Sequence, residues 1–148
     1  MASFTFVREI AAPPETVFDV LTDHRGYAEI TRVRRSELER EGEPAPNGVG
    51  AIRVLRALGP PMREEVIVYE RPRRFSYRML SGVPVRDHVG TVELTPEGEG
   101  TKVVYAVRTT PTVPLVGGAV IATIKVAIKQ LLDGVTAESE RRVPVAGG

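Results

Sequence analysis

His88 has the most chemistry to offer in this sequence. The chain carries two histidines, His24 and His88, four tyrosines and no cysteine. His88 lies in Val85 to Thr95, a run of strand character. Its ring titrates near neutrality, so it is suited to general acid or base work on a bound phenol or ketone, with Tyr77 or Tyr105 as hydrogen-bond partner. The alternative is a neutral histidine satisfied by Tyr77 and without turnover. Asp87 precedes it, but neighbours on a strand project to opposite faces, so Asp87 cannot orient His88 as in a catalytic triad. No catalytic set can be assembled from these residues alone. Arg53 either reaches inward and holds an anionic group or is a solvated outer arginine. Glu64 and Glu65 are adjacent, so only one of them can face inward. His24, beside Asp23, reads as a helix-terminus residue near a pocket mouth.

Two isolated histidines without cysteine fall short of a metal site, and no metal is expected. The nucleophile elbow GxSxG, the phosphate loop GxxxxGK and the dinucleotide fingerprint GxGxxG do not occur, so no cofactor is expected either. Arg32, Arg34 and Arg35, and again Arg71, Arg73 and Arg74, form basic clusters. Glu37, Glu39, Glu41 and Glu70 lie among them, which indicates solvated strand ends rather than a nucleic-acid surface.

The elements that must position these residues follow from turn chemistry and periodicity. Ser3 to Ile10 is a first strand. Ala11 to Glu15 begins a helix whose apolar positions are Val17, Phe18, Val20 and Leu21, and a second short helical turn is expected at Tyr27 to Ile30. Six strands follow at 31–41, 49–58, 62–69, 75–80, 85–95 and 101–109, separated by Pro- and Gly-rich turns, which predicts an antiparallel meander. Ile121, Ile124, Ile128, Leu131 and Val135 then recur at helical steps, predicting one long helix over 118–142 with Gly134 as a place to bend. Symmetric hairpins pair Tyr77 with His88, Arg78 with Asp87, Gly90 with Tyr105, Val92 with Val103, Glu93 with Lys102 and Asp87 with Arg108. One face then collects Phe75, Tyr77, Met79, His88, Val92, Leu94, Val103, Tyr105 and Val107, and the other collects the charges. The first is taken as the concave, inward face, and Asp87 is expected outside between Arg78 and Arg108.

The chain has 148 residues, a hydrophobic fraction of 42% and a net charge of +1. That fits one folded domain, 1–148, and gives no reason to expect nucleic acid as a partner. Leu115 to Ile124 is about half of the ~20 apolar residues that a membrane span requires. No integral membrane segment and no signal peptide are expected, and the cytoplasm is the default location. Either a monomer or a homodimer fits, the latter through a sheet edge or the outer helix face.

Four segments together resemble the polyketide cyclase/dehydrase branch of the START-like (Bet v 1-like, SRPBCC) superfamily: APPETVFDVLTD, GVGAIRVL, REEVIVYERPRRFSYRML and VPVRDHVGTVELTPEGEGTKVVYAVRTTP. The resemblance spans nearly the whole chain. It implies an α+β helix-grip fold, a curved antiparallel sheet around the long C-terminal helix, with a small hydrophobic ligand held between them. A pocket there would be lined by Phe18, Tyr27, Arg53, Tyr77, Met79, His88, Tyr105, Val107, Ile121, Ile124 and Ile128. Two positions that often carry tryptophan in the family are here Ile30 and Tyr105, which makes the pocket less aromatic. Three functions follow. The first is binding of a lipid, polyketide or aromatic molecule. The second is a cyclase, aromatase or dehydratase using His88 with Tyr77 or Tyr105. The third is a structural or regulatory protein with a filled core.

Overall fold

Side-chain alternation organises the sheet. The computed structural model describes residues 1–23, 26, 35–56 and 60–143. In β1 (Ala2–Ile10) the even-numbered residues are shielded and the odd-numbered ones exposed. β7 (Gly100–Pro111) buries Thr101, Val103, Tyr105, Val107 and Thr109. Between them in sequence come α1 (Pro14–Thr22), β2 (Arg35–Arg40), β3 (Ile52–Arg56), β4 (Met62–Glu70), β5 (Arg74–Ser81) and β6 (Val85–Glu97), and α2 (Gly117–Arg142) closes the described chain. The strands form one seven-stranded sheet in the order β1-β7-β6-β5-β4-β3-β2, antiparallel throughout. This is the expected meander, with β1 added beside β7. The expected turn at Tyr27 to Ile30 lies outside the described residues, as do His24 and the strand portions at 31–34 and 57–58.

α2 starts one residue before its expected position and runs unbroken through Gly134. Its buried stripe is Ile124, Ile128, Leu132, Val135 and Ser139, so Leu132 rather than Leu131 holds the central place. Specific polar contacts set the helix on the sheet. Arg8 on β1 meets Asp133 at 2.8 Å, and the backbone N–H of Ala11 donates to Glu140 at 3.0 Å. Asp19 of α1 accepts both prongs of Arg71 in the β4–β5 turn, at 2.8 and 2.9 Å. The outer face is a charge lattice: Arg56 with Glu37, Arg63 with Glu39, Arg40 and Arg78 with Glu65, and Arg74 with Glu93. Ile52 and Val54 stand among these pairs and are nonetheless buried. Of the basic clusters, Arg35 and Arg74 pair with Glu37 and Glu93, and Arg71 with Asp19.

The hairpin registers differ from expectation by two residues. Tyr77 faces Gly90 and Arg78 faces Val89, not His88 and Asp87. Gly90 faces Val107, Val92 faces Tyr105 and Leu94 faces Val103. In the β6–β7 hairpin the cause is the turn. β6 runs on to Glu97, which pairs with Gly100 across Gly98-Glu99. Gly98 takes a φ of 61°, which suits the first central position of a type II′ hairpin turn. A shift of two leaves each side chain on its own face, so the inward set stands while the cross-strand partners change. The charge pairs change with them. Glu93 bonds Arg74, Lys102 faces Thr95, and Asp87 does not sit between Arg78 and Arg108.

Asp87 is instead part of a β-bulge. Arg86 pairs with Thr110 and Val89 with Arg108, so β6 supplies Asp87 and His88 where β7 supplies only Thr109. Asp87 takes up the extra length at a φ of 53°, in the left-handed region that aspartate tolerates better than most residues.

Gly90 also sets the packing. A Cβ there would lie 2.5 Å from Cε1 of Tyr77, so the tyrosine ring occupies the space that a side chain would take. Gly90→Ala is expected to destabilise the fold by about 1–3 kcal/mol in urea denaturation. In a Tyr77→Ala background the same change should cost less than half as much. An equal cost in both backgrounds would place its origin elsewhere.

Candidate functional site

The central strands put charge inside the sheet. Arg53 on β3 and Glu64 on β4 are direct cross-strand partners. Arg53 Nε donates to Glu64 Oε1 at 3.0 Å, and both side chains are buried, Arg53 at 4% exposure. The guanidinium stands 5.1 Å from the ring centre of Phe75 and 5.5 Å from that of Tyr77. Arg53 is therefore the inward arginine, not the solvated one. The same ladder settles the two glutamates: Glu64 faces inward, while Glu65 faces out to Arg40 and Arg78.

Tyr77 and Tyr105 come from β5 and β7, on either side of β6. Their hydroxyls share a hydrogen bond of 2.6 Å across the strand, over the space left by Gly90. His88 is 3% exposed, with its ring centre 5.9 Å from that of Tyr77. Its Nδ1 is buried and has no hydrogen-bond partner among the described residues. The expected satisfaction of His88 by Tyr77 thus does not hold at Nδ1. Burial pushes the imidazole pKa down to about 4, so the ring is neutral at pH 7.

Of the other residues expected around a pocket, Phe18 is fully buried, edge-on to Tyr69 and Phe75. Val107, Ile124 and Ile128 are buried on the inward side, while Met79 and Ile121 are partly exposed. Tyr27 lies outside the described residues. Burial along α2 falls from 1% exposure at Leu132 and Val135 to 9% at Ile124. The C-terminal half of the helix is sealed onto α1 and the sheet, and the N-terminal half is held less closely.

Thr109 escaped the sequence reading. It is fully buried on the inward face, and its hydroxyl has no partner. Its alternation in β7 was a legible signal, but its place against His88 depends on the β6–β7 register set by the turn at Gly98. A separate cleft of about 340 Å³ lies at the far end of the sheet, among Glu9, Ile10, Ala11, Glu97, Gly100, Thr101 and Glu140. None of the expected site residues reaches it. Among the described residues no cluster of three or more His, Asp or Glu is placed to hold a metal.

Two outcomes follow for stability. Unfolded histidine titrates near pH 6.5, whereas folded His88 titrates near 4. Between those values the unfolded chain binds a proton that the folded one refuses. His88 therefore lowers stability as pH falls from 6.5 to 4, by roughly 3 kcal/mol in all, and has no further effect below. Urea melts of wild type and His88→Gln across this window should diverge by that slope; parallel curves would contradict it. Arg53→Met leaves Glu64 buried without its charge partner and should cost about 3–5 kcal/mol, while Arg53→Met with Glu64→Leu should recover most of that loss.

The comparisons agree with this geometry. Residues 1–140 match the family described as polyketide cyclase / dehydrase and lipid transport. A START superfamily protein from Mycobacterium smegmatis superposes with a TM-score of 0.80 at 12% identity, covering 95% of this chain and 99% of the other. The Zhui aromatase/cyclase from Streptomyces sp. R1128 superposes at 0.78 with 22% identity, covering 99% and 98%. Ara h 8.0201 gives 0.76 at 14% identity, covering 95% and 100%. No curated protein matches the sequence. At these identities the structural likenesses establish the fold, which is the helix-grip fold of START and Bet v 1-like proteins. With its family model matched across both the sheet and the long helix, the chain belongs to the polyketide cyclase/dehydrase and lipid transport family.

Proposed function

We propose that the protein binds one small hydrophobic molecule, a lipid, polyketide or aromatic, between the inward face of the sheet and the N-terminal half of α2. The observation that carries this reading is the set Arg53, Glu64, Tyr77, His88 and Tyr105, buried together on a face that is otherwise apolar. A core that only needed filling would be expected to use apolar side chains here, since buried polar groups stabilise little and cost much when unpaired. A ligand site needs this mixture, apolar walls with a few placed polar groups. The family's description, which includes lipid transport, supports the same reading. No helix among the described residues is long and apolar enough to cross a membrane.

A second reading is catalytic. A neutral imidazole with an unpartnered ring nitrogen is the form of histidine that can accept a proton, and the Tyr77–Tyr105 couple lies beside it. Cyclisation or dehydration of a bound polyketide would use His88 as base. Binding without turnover is the better supported of the two, because the one inward carboxylate described, Glu64, is engaged by Arg53 rather than by His88.

Native mass spectrometry of freshly purified protein should show one adduct of a few hundred daltons that is lost on denaturation. Ile124→Trp, which adds bulk to the inward side of α2, should abolish the adduct while leaving the melting temperature within about 2–4 °C of wild type, a change of ~1 kcal/mol. Protein that is free of adduct and takes up no fatty acid or naphthalene probe in solution would contradict the binding reading.

A further inference from the structure

Among the described residues four buried side-chain polar atoms lack a hydrogen-bond partner: Ser36 Oγ, His88 Nδ1, Thr109 Oγ1 and Ser139 Oγ. Two of them belong to adjacent strands. The β6 bulge sets Asp87 and His88 against Thr109, so the histidine ring and the threonine hydroxyl come from facing positions of adjacent strands. Both side chains are on the inward face and at least 97% buried, His88 at 3% exposure and Thr109 at 0%. Asp87, the other residue of the bulge, is exposed. Leaving such groups unpaired is unfavourable, and two together at one point of a ligand-binding face indicate an absent partner.

We propose that His88 and Thr109 form a polar subsite that binds a neutral hydroxyl group of the ligand, an alcohol, phenol or enol. The assignment deepens the binding reading above and rests on it. A hydroxyl fits because it donates and accepts at once. If Nδ1 is the bare nitrogen of the neutral ring, the ligand hydroxyl donates to it and accepts from Thr109. If Nδ1 carries the hydrogen, the ligand hydroxyl accepts from it and donates to Thr109. Both tautomers are served by the same group. A carboxylate is a poor match, since it only accepts and would bring charge to a desolvated corner where His88 is neutral and Arg53 is already engaged by Glu64. An ether or ketone satisfies one tautomer only.

The test uses two probes of the same shape, 2-naphthol and 2-methylnaphthalene, titrated into the full chain. Wild type should prefer 2-naphthol by at least tenfold. Thr109→Val, nearly isosteric, should reduce that preference to about twofold or less while leaving 2-methylnaphthalene affinity unchanged, and Thr109→Ser should restore it. The ¹⁵N resonance of His88 Nδ1 should move with 2-naphthol and stay in place with 2-methylnaphthalene. Equal affinity of both probes in wild type, or an equal loss of both in Thr109→Val, would overturn the subsite while leaving hydrophobic binding intact. If the Nδ1 resonance shows the same hydrogen-bonded state with and without 2-naphthol, a resident water fills the place and the subsite is likewise overturned. If neither probe binds, the binding reading itself fails and the subsite with it.

Discussion

An arginine can be buried in a β-sheet only when its charge is met at close range, and the Arg53–Glu64 pair meets it directly across the β3–β4 ladder. Much of the interior is arranged around that pair. The guanidinium lies over Phe75 and Tyr77, which fixes the plane of the Tyr77 ring. Tyr77 in turn requires a residue without a side chain opposite it, and Gly90 is that residue. The space above Gly90 lets the Tyr77 and Tyr105 hydroxyls meet across β6. His88 completes the group through its packing on Tyr77. Polar atoms from five strands, β3 to β7, are thereby gathered under one helix. Through Tyr77 and Tyr105 they are continuous with the apolar cluster of Phe18, Phe75, Val92 and Val103.

Much of this was legible in the sequence, for a definite reason. Alternation on a strand does not depend on which residue stands opposite, so the inward face through Phe75, Tyr77, His88, Val92, Tyr105 and Val107 could be read from periodicity alone. The long helix was legible because its apolar stripe from Ile121 to Val135 is uninterrupted over about four turns. Cross-strand partners were not legible in the same way. They depend on where each turn closes, and Gly98 moved the β6–β7 turn along the chain. The β3 and β4 faces stayed open because β3 is buried on both sides. Ile52 and Val54 are covered by the outer charge lattice, so hydrophobicity there carries no direction.

Thr109 shows the limit most clearly. Nothing in its residue type distinguishes it from Thr101, which is also buried on β7 but donates to the Ala12 carbonyl at 2.7 Å. What separates the two is whether a partner stands nearby, and that is a property of the fold. The bulge at Asp87 has no strong sequence marker either, since aspartate is common in extended loops as well as in left-handed positions. A residue that changes the register of a strand acts on every pairing beyond it, and the sequence records only the residue.

The central claim, that the inward face under the N-terminal half of α2 holds a ligand, is tested most directly by intermolecular nuclear Overhauser effects. Protein with ¹³C-labelled Ile and Val methyl groups is saturated with an unlabelled fatty acid or naphthalene probe. The account predicts contacts from the probe to the methyls of Val107, Ile124 and Ile128, which are buried. Contacts confined to exposed methyls such as those of Val7 and Val126, or none at saturation, would contradict it.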